Sequence, residues 1–179
     1  MRVHLLKLVR IQALASAVAL IAATQFALAQ ETTGQPDTLS ETYGSWTVAC
    51  ATLPDQGRFC RISQHLSQSA DNPPILSVFL RSDTGEGELG RITFVTPLGL
   101  SLPQGVRLVI DAAEVVQAPY MNCQTSGCVA QAVLSDPAIA AMTASGAASV
   151  TLALMDGQQA AITLSLQGFA AAWTRLQNL

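Results

Sequence analysis

The chain has 179 residues, half of them apolar, 5% aromatic and 12% charged, with nine Lys+Arg against twelve Asp+Glu. That is a lightly charged globular composition with enough apolar content for a core. A net charge of −3 leaves no basic surplus for holding phosphate backbones or anionic lipid heads.

Arg2, Lys7 and Arg10 flank an apolar stretch, IQALASAVALIAA, that closes with Ala27-Leu28-Ala29 before Gln30. This pattern predicts a secretory signal peptide over residues 1–29, cleaved between Ala29 and Gln30. A spanning helix needs about 20 apolar residues, and here Arg10 and Thr24-Gln25 bound the run. No cysteine follows the cleavage point, so a lipid anchor is not indicated, and the mature chain is expected to be soluble without stable membrane insertion. Cleavage leaves 179 − 29 = 150 residues, the size of one domain. The leader carries three of the nine Lys+Arg and none of the acids, so the mature balance is 6 − 12 = −6. No lysine remains, the six arginines are scattered along the chain, and nucleic acid is excluded as a partner on that ground.

Residues 30–42 are polar and read as a flexible leader, with a single ordered domain expected over 43–179. Trp46 and Val48 alternate toward Cys50, and Ile62 and Leu66 share the parity of Cys60. PILSVFL (74–80) and ELGRITFVT (88–96) are rich in β-branched and aromatic residues, and Asp83 to Gly87 between them reads as a turn. In PLGLSLPQGVRLVID (97–111) the alternating apolar positions predict two short strands around Pro103-Gln104-Gly105. CVAQAVL (128–134) is another strand. DPAIAAMTASG (136–146) reads as a short helix with Asp136 as cap, Pro137 in the first turn and Gly146 as stop. ASVTLALM and QQAAITLSL flank Asp156-Gly157 as a hairpin. At the end, Phe169, Trp173 and Leu176 fall on one face of a helix, a core-facing stripe. About eight short strands with two small helices predict an all-β protein, an antiparallel β-sandwich.

Four cysteines in an exported chain imply two disulfides, with three possible connectivities. Local spacing favours Cys50 with Cys60, across the loop TLPDQGR, and Cys123 with Cys128, across a tight turn where Gly127 suits a positive φ. Zinc would want closer ligand pairs and more soft ligands than the single mature histidine, His65, supplies. A redox couple would want C-x-x-C at a helix start.

W-x-V-x-C at Trp46, Val48 and Cys50, the following Cys60, PLGLSLPQGVRLVID, C-x3-GC-x-A at Cys123, Gly127, Cys128 and Ala130, and SLQGF with Ala172 together resemble the invasion-associated locus B family of bacterial exported proteins. The likeness runs over nearly the whole mature domain. Tyr120 stands where the family pattern has phenylalanine, and Gln167 where lysine is frequent, which removes one basic surface position. The resemblance implies an immunoglobulin-like sandwich that is periplasmic or secreted in a Gram-negative bacterium and invasion-associated in host-associated members. It brings no catalytic residues and no cofactor.

The expected function is therefore a disulfide-stapled cell-envelope module that binds or supports an envelope or host protein through a sheet face or an exposed edge strand. The alternative is an envelope hydrolase. Any triad would have to use His65, whose polar neighbours in SQHLSQS point to a solvated side chain. The close carboxylate pairs are Glu86 with Glu88 and Asp111 with Glu114. The first pair lies in a glycine-spaced turn with Asp83 and lacks the ordered ligand pattern of a calcium loop; the second marks a turn after a strand. No phosphate-binding loop, dinucleotide fingerprint or nucleophile elbow is present.

Overall fold

The computed structural model describes residues 38–53, 57–82 and 90–179. The expectations for the signal peptide and its cleavage point at Ala29 and Gln30, for residues 30–37 of the leader, and for the turn bearing Asp83, Glu86 and Glu88 lie outside the described residues. Within them the chain forms β1 (Thr38–Tyr43), β2 (Trp46–Leu53), β3 (Gly57–Leu66), β4 (Leu76–Arg81), β5 (Gly90–Thr96), β6 (Val106–Ile110), β7 (Ala113–Ala118), β8 (Tyr120–Gln124), β9 (Gly127–Leu134), α1 (Asp136–Ala144), β10 (Ala147–Ala153), β11 (Gln159–Ser165) and α2 (Phe169–Gln177).

The strands make a seven-stranded sheet in the order β1-β2-β3-β4-β5-β9-β8 and a four-stranded sheet in the order β11-β10-β6-β7. Neighbours are antiparallel throughout, as in β4–β5, β5–β9 and β10–β11. In β4, β5 and β6 every second residue is buried, the period of a strand with one face on a core. One continuous core holds Val48, Ile62, Leu80 and Phe94 of the large sheet with Leu108, Val150 and Leu164 of the small one. Two sheets sharing one core are a β-sandwich.

The terminal stripe packs as its spacing predicts: Phe169, Trp173 and Leu176 of α2 are buried. Phe169 lies edge-on to Trp46 with ring centroids 5.3 Å apart, a favourable aromatic geometry. A polar seam joins the sheets beside this cluster. The Trp46 indole Nε1 and the Gln64 side-chain Nε2 both donate to the Ser165 carbonyl, at 3.0 and 2.9 Å. The Ser165 amide donates back to Gln64 Oε1 at 3.2 Å. Gln64 is buried, and these bonds offset the loss of water around its amide. The turn after β1 presses on the entry to α2 so closely that a Cβ at Gly168, φ +84, would meet the Tyr43 carbonyl oxygen.

Four local expectations change. The leader expected through residue 42 is strand from Thr38 onward, because β1 pairs with β2 over its full length and is pinned by a partner 134 positions away, Arg175 on Glu41. The first strand expected in 97–111 is a single bridge, Leu100 to Leu154, followed by a 3-10 turn over Leu102–Gln104, where Pro103 offers no amide to a ladder. Asp111 and Ala112 do form a turn, both with positive φ, but the chain re-enters a strand at once, so Glu114 belongs to β7. The cap of α1 is Ser135, whose hydroxyl accepts from the Ala138 amide, with Asp136 already in the first turn. Eleven strands are thus found among the described residues. The additional ones are edge or near-edge segments without a clean apolar alternation.

Candidate functional site

Cys123 and Cys128 face each other across β8 and β9 and are bonded. The turn between them is short because Gln124 already pairs with Gly127. Gly127 has φ +131, and a Cβ there would run into the Thr96 carbonyl oxygen of β5. Glycine is therefore required twice, for the backbone angle and for the close approach. Thr96 Oγ1 lies 3.2 Å from the Tyr120 hydroxyl, fixing the start of β8. Burial pushes the Tyr120 pKa above the ordinary tyrosine range, against the opposing hydrogen bond from Thr96.

β8 is the last strand of its sheet, and among the described residues nothing pairs with its outer side. Its residues YMNCQ carry no charge, and beyond the half-buried Tyr120 all are exposed. The register shifts between Tyr120 and Asn122, and Met121 projects with 62% of its surface exposed. Beside it Leu102, Pro103, Tyr120, Met121, Asn122 and Cys123 line a cavity of about 390 Å³. A second concavity of about 410 Å³ borders the hairpin turn, with Pro73, Pro74, Pro97, Leu98 and Ser126 on its walls. Leu98, Leu102 and Met121 are large apolar side chains left exposed at this end of the fold.

The other cysteine pair is placed differently. Cys50 and Cys60 are bonded across β2 and β3, with Cys50 buried on the core side. Both bridges join adjacent antiparallel strands, so each acts as a staple on a ladder that already exists.

Among the described residues, those weighed for catalysis, His65, Asp111 and Glu114, are not assembled. His65 is exposed; its Nδ1 lies 2.8 Å from the Ser77 hydroxyl and its ring sits edge-on to Phe79. Neither neighbour is the acid that would orient an imidazole as a base. Asp111 accepts a hydrogen bond from the Ser145 hydroxyl at 3.4 Å, whereas Glu114 lies 4.0 Å from Arg107, so the two carboxylates serve separate local contacts. Among the described residues no three His, Cys, Asp or Glu side chains gather as a metal site.

Folding also undoes one inference from the linear sequence. Three of the six arginines after residue 29 fall together: Arg81 stands directly opposite Arg91 across β4 and β5. Arg61 precedes Ile62, the partner of Leu80, and so falls next in the same cross-strand row. The Arg61 guanidinium lies 4.6 Å from the Phe79 ring centre and that of Arg81 lies 4.5 Å from Phe59. Their common parity with outward positions of each strand is the only signal of this in the sequence, and it needs the pairing register to be read.

A family profile described as "Invasion associated locus B (IalB) protein" matches residues 46–177. An "Invasion protein B homolog" of Brucella abortus (strain 2308) is 32% identical over 154 residues, covering 86% of this chain and 87% of that protein. "Invasion protein B" of Bartonella bacilliformis is 27% identical over 146 residues, covering 79% and 76%. A crystal structure of invasion associated protein B from Bartonella henselae superposes with a TM-score of 0.67 at 20% identity, over 78% of this chain and 95% of the other; it shares the fold. The relatives are named for invasion, not for a reaction.

Proposed function

We propose, from the premise that this chain belongs to the invasion associated locus B family, that it is an exported binding module of the bacterial envelope whose edge strand β8 takes up an extended segment of a protein partner. The observation that carries this reading is the edge itself. A sheet edge exposes a row of backbone donors and acceptors, and proteins ordinarily blunt it with charge or cover it with another element. In β8 the strand is uncharged and exposed, with an apolar cavity alongside. Strand addition uses these two features together: backbone hydrogen bonds give affinity, and a pocket for alternate side chains gives selectivity. The Cys123–Cys128 bond holds β8 in place beforehand, which lowers the ordering cost of binding.

Placement in the periplasm or outside the cell is supported by the two disulfides, which persist in oxidising compartments. It is also supported by the leader pattern at residues 11–29. Among the described residues no helix is long and apolar enough to cross a membrane. A hydrolase reading has no comparable support among the described residues, where His65 has no orienting acid beside it and Asp111 and Glu114 serve separate contacts.

Site-specific photo-cross-linking in intact envelopes tests the reading. A photoreactive residue at position 121 is expected to give a discrete protein adduct that is absent when the same residue replaces Thr174 on α2. Hydrogen exchange with the purified adduct partner is then expected to slow at the amides of residues 120–124. Cross-linking without slowed exchange there, or no adduct at 121, would refute strand addition.

A further inference from the structure

The two disulfides join strands in the same way but sit in unlike surroundings. Cys50–Cys60 lies inside its sheet: β1 pairs with the far side of β2, with Leu39 opposite Cys50, and β4 pairs with the far side of β3. Cys50 is 5% exposed, and Cys60 packs against the core. Cys123–Cys128 lies on the last strand of the sheet. Cys123 is exposed and borders the cavity of about 390 Å³ beside Leu102 and Met121, whereas Cys128 is 2% exposed. Exchange begins when a thiolate attacks one sulfur of a disulfide, and its rate depends on access and on which sulfur is attacked. Only the edge bridge therefore offers an approach, and it offers it at Cys123.

The surroundings favour such an attack in two further respects. From Val115 to Ser135 the chain carries no charged side chain, so the hairpin sets no carboxylate against an incoming thiolate. Opening the bond also disturbs little else. Beyond the irregularity after Tyr120, β8 pairs with β9 only at Asn122, Cys123 and Gln124, and the loop the bond closes is the shorter of the two. Tyr120 is anchored independently, its hydroxyl 3.2 Å from Thr96 Oγ1 and the preceding Pro119 carbonyl accepting from the Gln131 amide at 3.2 Å. A reduced hairpin can thus loosen from residue 121 onward while the core and the other bridge stay closed.

We infer that Cys123–Cys128 is a thiol–disulfide exchange site, opened selectively by a protein dithiol that attacks at Cys123 and thereby releases the outer half of β8. The pair is a substrate of such a dithiol and not itself a catalytic couple. The dithiol's thiolate bonds to Cys123 Sγ, the bond to Cys128 breaks, and its electron pair passes to Cys128 Sγ, which takes up a proton. The dithiol's second thiol, losing its proton, then attacks the mixed disulfide and frees Cys123, which takes up a proton as well. The dithiol ends as a disulfide, and two electrons and two protons have moved to the cysteine pair. A bearing on capture at β8 rests on the strand-addition reading; the exchange chemistry does not.

The test is timed reduction of the folded, mature, disulfide-bonded protein with dithiothreitol and with thioredoxin, followed by alkylation and peptide mapping. Cys123 and Cys128 are expected to be labelled roughly tenfold or more faster than Cys50 and Cys60, since access limits the second pair. A thioredoxin whose second active-site cysteine is replaced by serine should be trapped on Cys123. Hydrogen exchange of the partly reduced protein should lose protection at residues 121–124 and keep it in β2 and β3. Equal opening of the two bridges, earlier opening of Cys50–Cys60, no opening without denaturant, trapping on Cys128, or a reduced protein that either keeps β8 protected or unfolds throughout would each overturn the proposal. In the same preparations, adduct formation from position 121 should fall when the edge bridge is reduced. No adduct in either redox state would count against strand addition alone, while the labelling rates decide the exchange site.

Discussion

β1 and β8 are the two edges of one sheet, and they are finished by different means. Edge β1 is sealed from a distance: Arg175 of α2 grips Glu41 with two hydrogen bonds of 2.8 and 3.0 Å, and the turn after β1 seats against the Gly168 backbone. Edge β8 is held locally, by a bond between cysteines five positions apart, with its residues left uncharged and largely exposed. Of the family-like residues, Trp46, Gly168 and Phe169 gather on the sealed side, whereas Cys123, Gly127 and Cys128 staple the β8 side. Their part in the resemblance therefore reports how the fold closes.

The comparison is broken most severely at the seam. Trp46→Ala removes the edge contact with Phe169 and the bond to Ser165; a loss of about 3–5 kcal/mol is expected for a buried tryptophan, read by urea denaturation. A loss under about 1 kcal/mol would mean that the seam does not close the fold.

Next come the staples. In the chain-entropy account, replacing Cys50 and Cys60 by serine should cost roughly 2.7 kcal/mol and replacing Cys123 and Cys128 roughly 2 kcal/mol, because the first loop is longer. Their sequence separations are 10 and 5. Denaturation of the two double variants checks the order, and hydrogen exchange should show β8 loosened only in the second.

A smaller effect distinguishes the edges by pH. The hydrogen bond from Arg175, aided by that from Tyr43, holds the Glu41 pKa below its ordinary 4.5. A carboxyl depressed in the folded state stabilises above its unfolded pKa, and that contribution is lost as pH falls through the lower folded value. The thermal midpoint of the wild type should therefore exceed that of Glu41→Gln at neutral pH, and the gap should close on acidification below about 4.5. A gap that persists in strong acid would assign the effect to packing instead. Edge β8 has no ionised group to respond in this range.

The smallest expected change in stability is at Met121. Met121→Lys, on an exposed side chain, should alter unfolding by no more than about 0.5 kcal/mol while abolishing capture at β8, since a charge on an edge strand opposes strand addition. A large stability loss would show that Met121 supports the fold and would remove it from the binding surface.

These contrasts follow how much of the molecule is legible in its sequence. Strands β4, β5, β10 and β11 and the α2 stripe announce themselves because burial on one side forces a period of two, or of three to four, on the residues. Both disulfides join cysteines that are near neighbours in sequence, so local spacing carries the pairing. β1 is not legible: TLSETY has little apolar content, and its partner Arg175 is remote. β8 is not legible either, since an exposed edge imposes no alternation on YMNCQ. The arginine row is a property of register between three strands, and no single stretch of sequence contains it.

Glu41 and Arg175 also join the beginning of the described domain to its end. Six strand gaps of about 4.8 Å separate β1 from β8, so the open edge stands roughly 30 Å across the sheet from the side where both ends of the domain depart. A molecule tethered by either end would therefore hold β8 away from its attachment, and a tag or fused domain at the C-terminus would leave that edge clear.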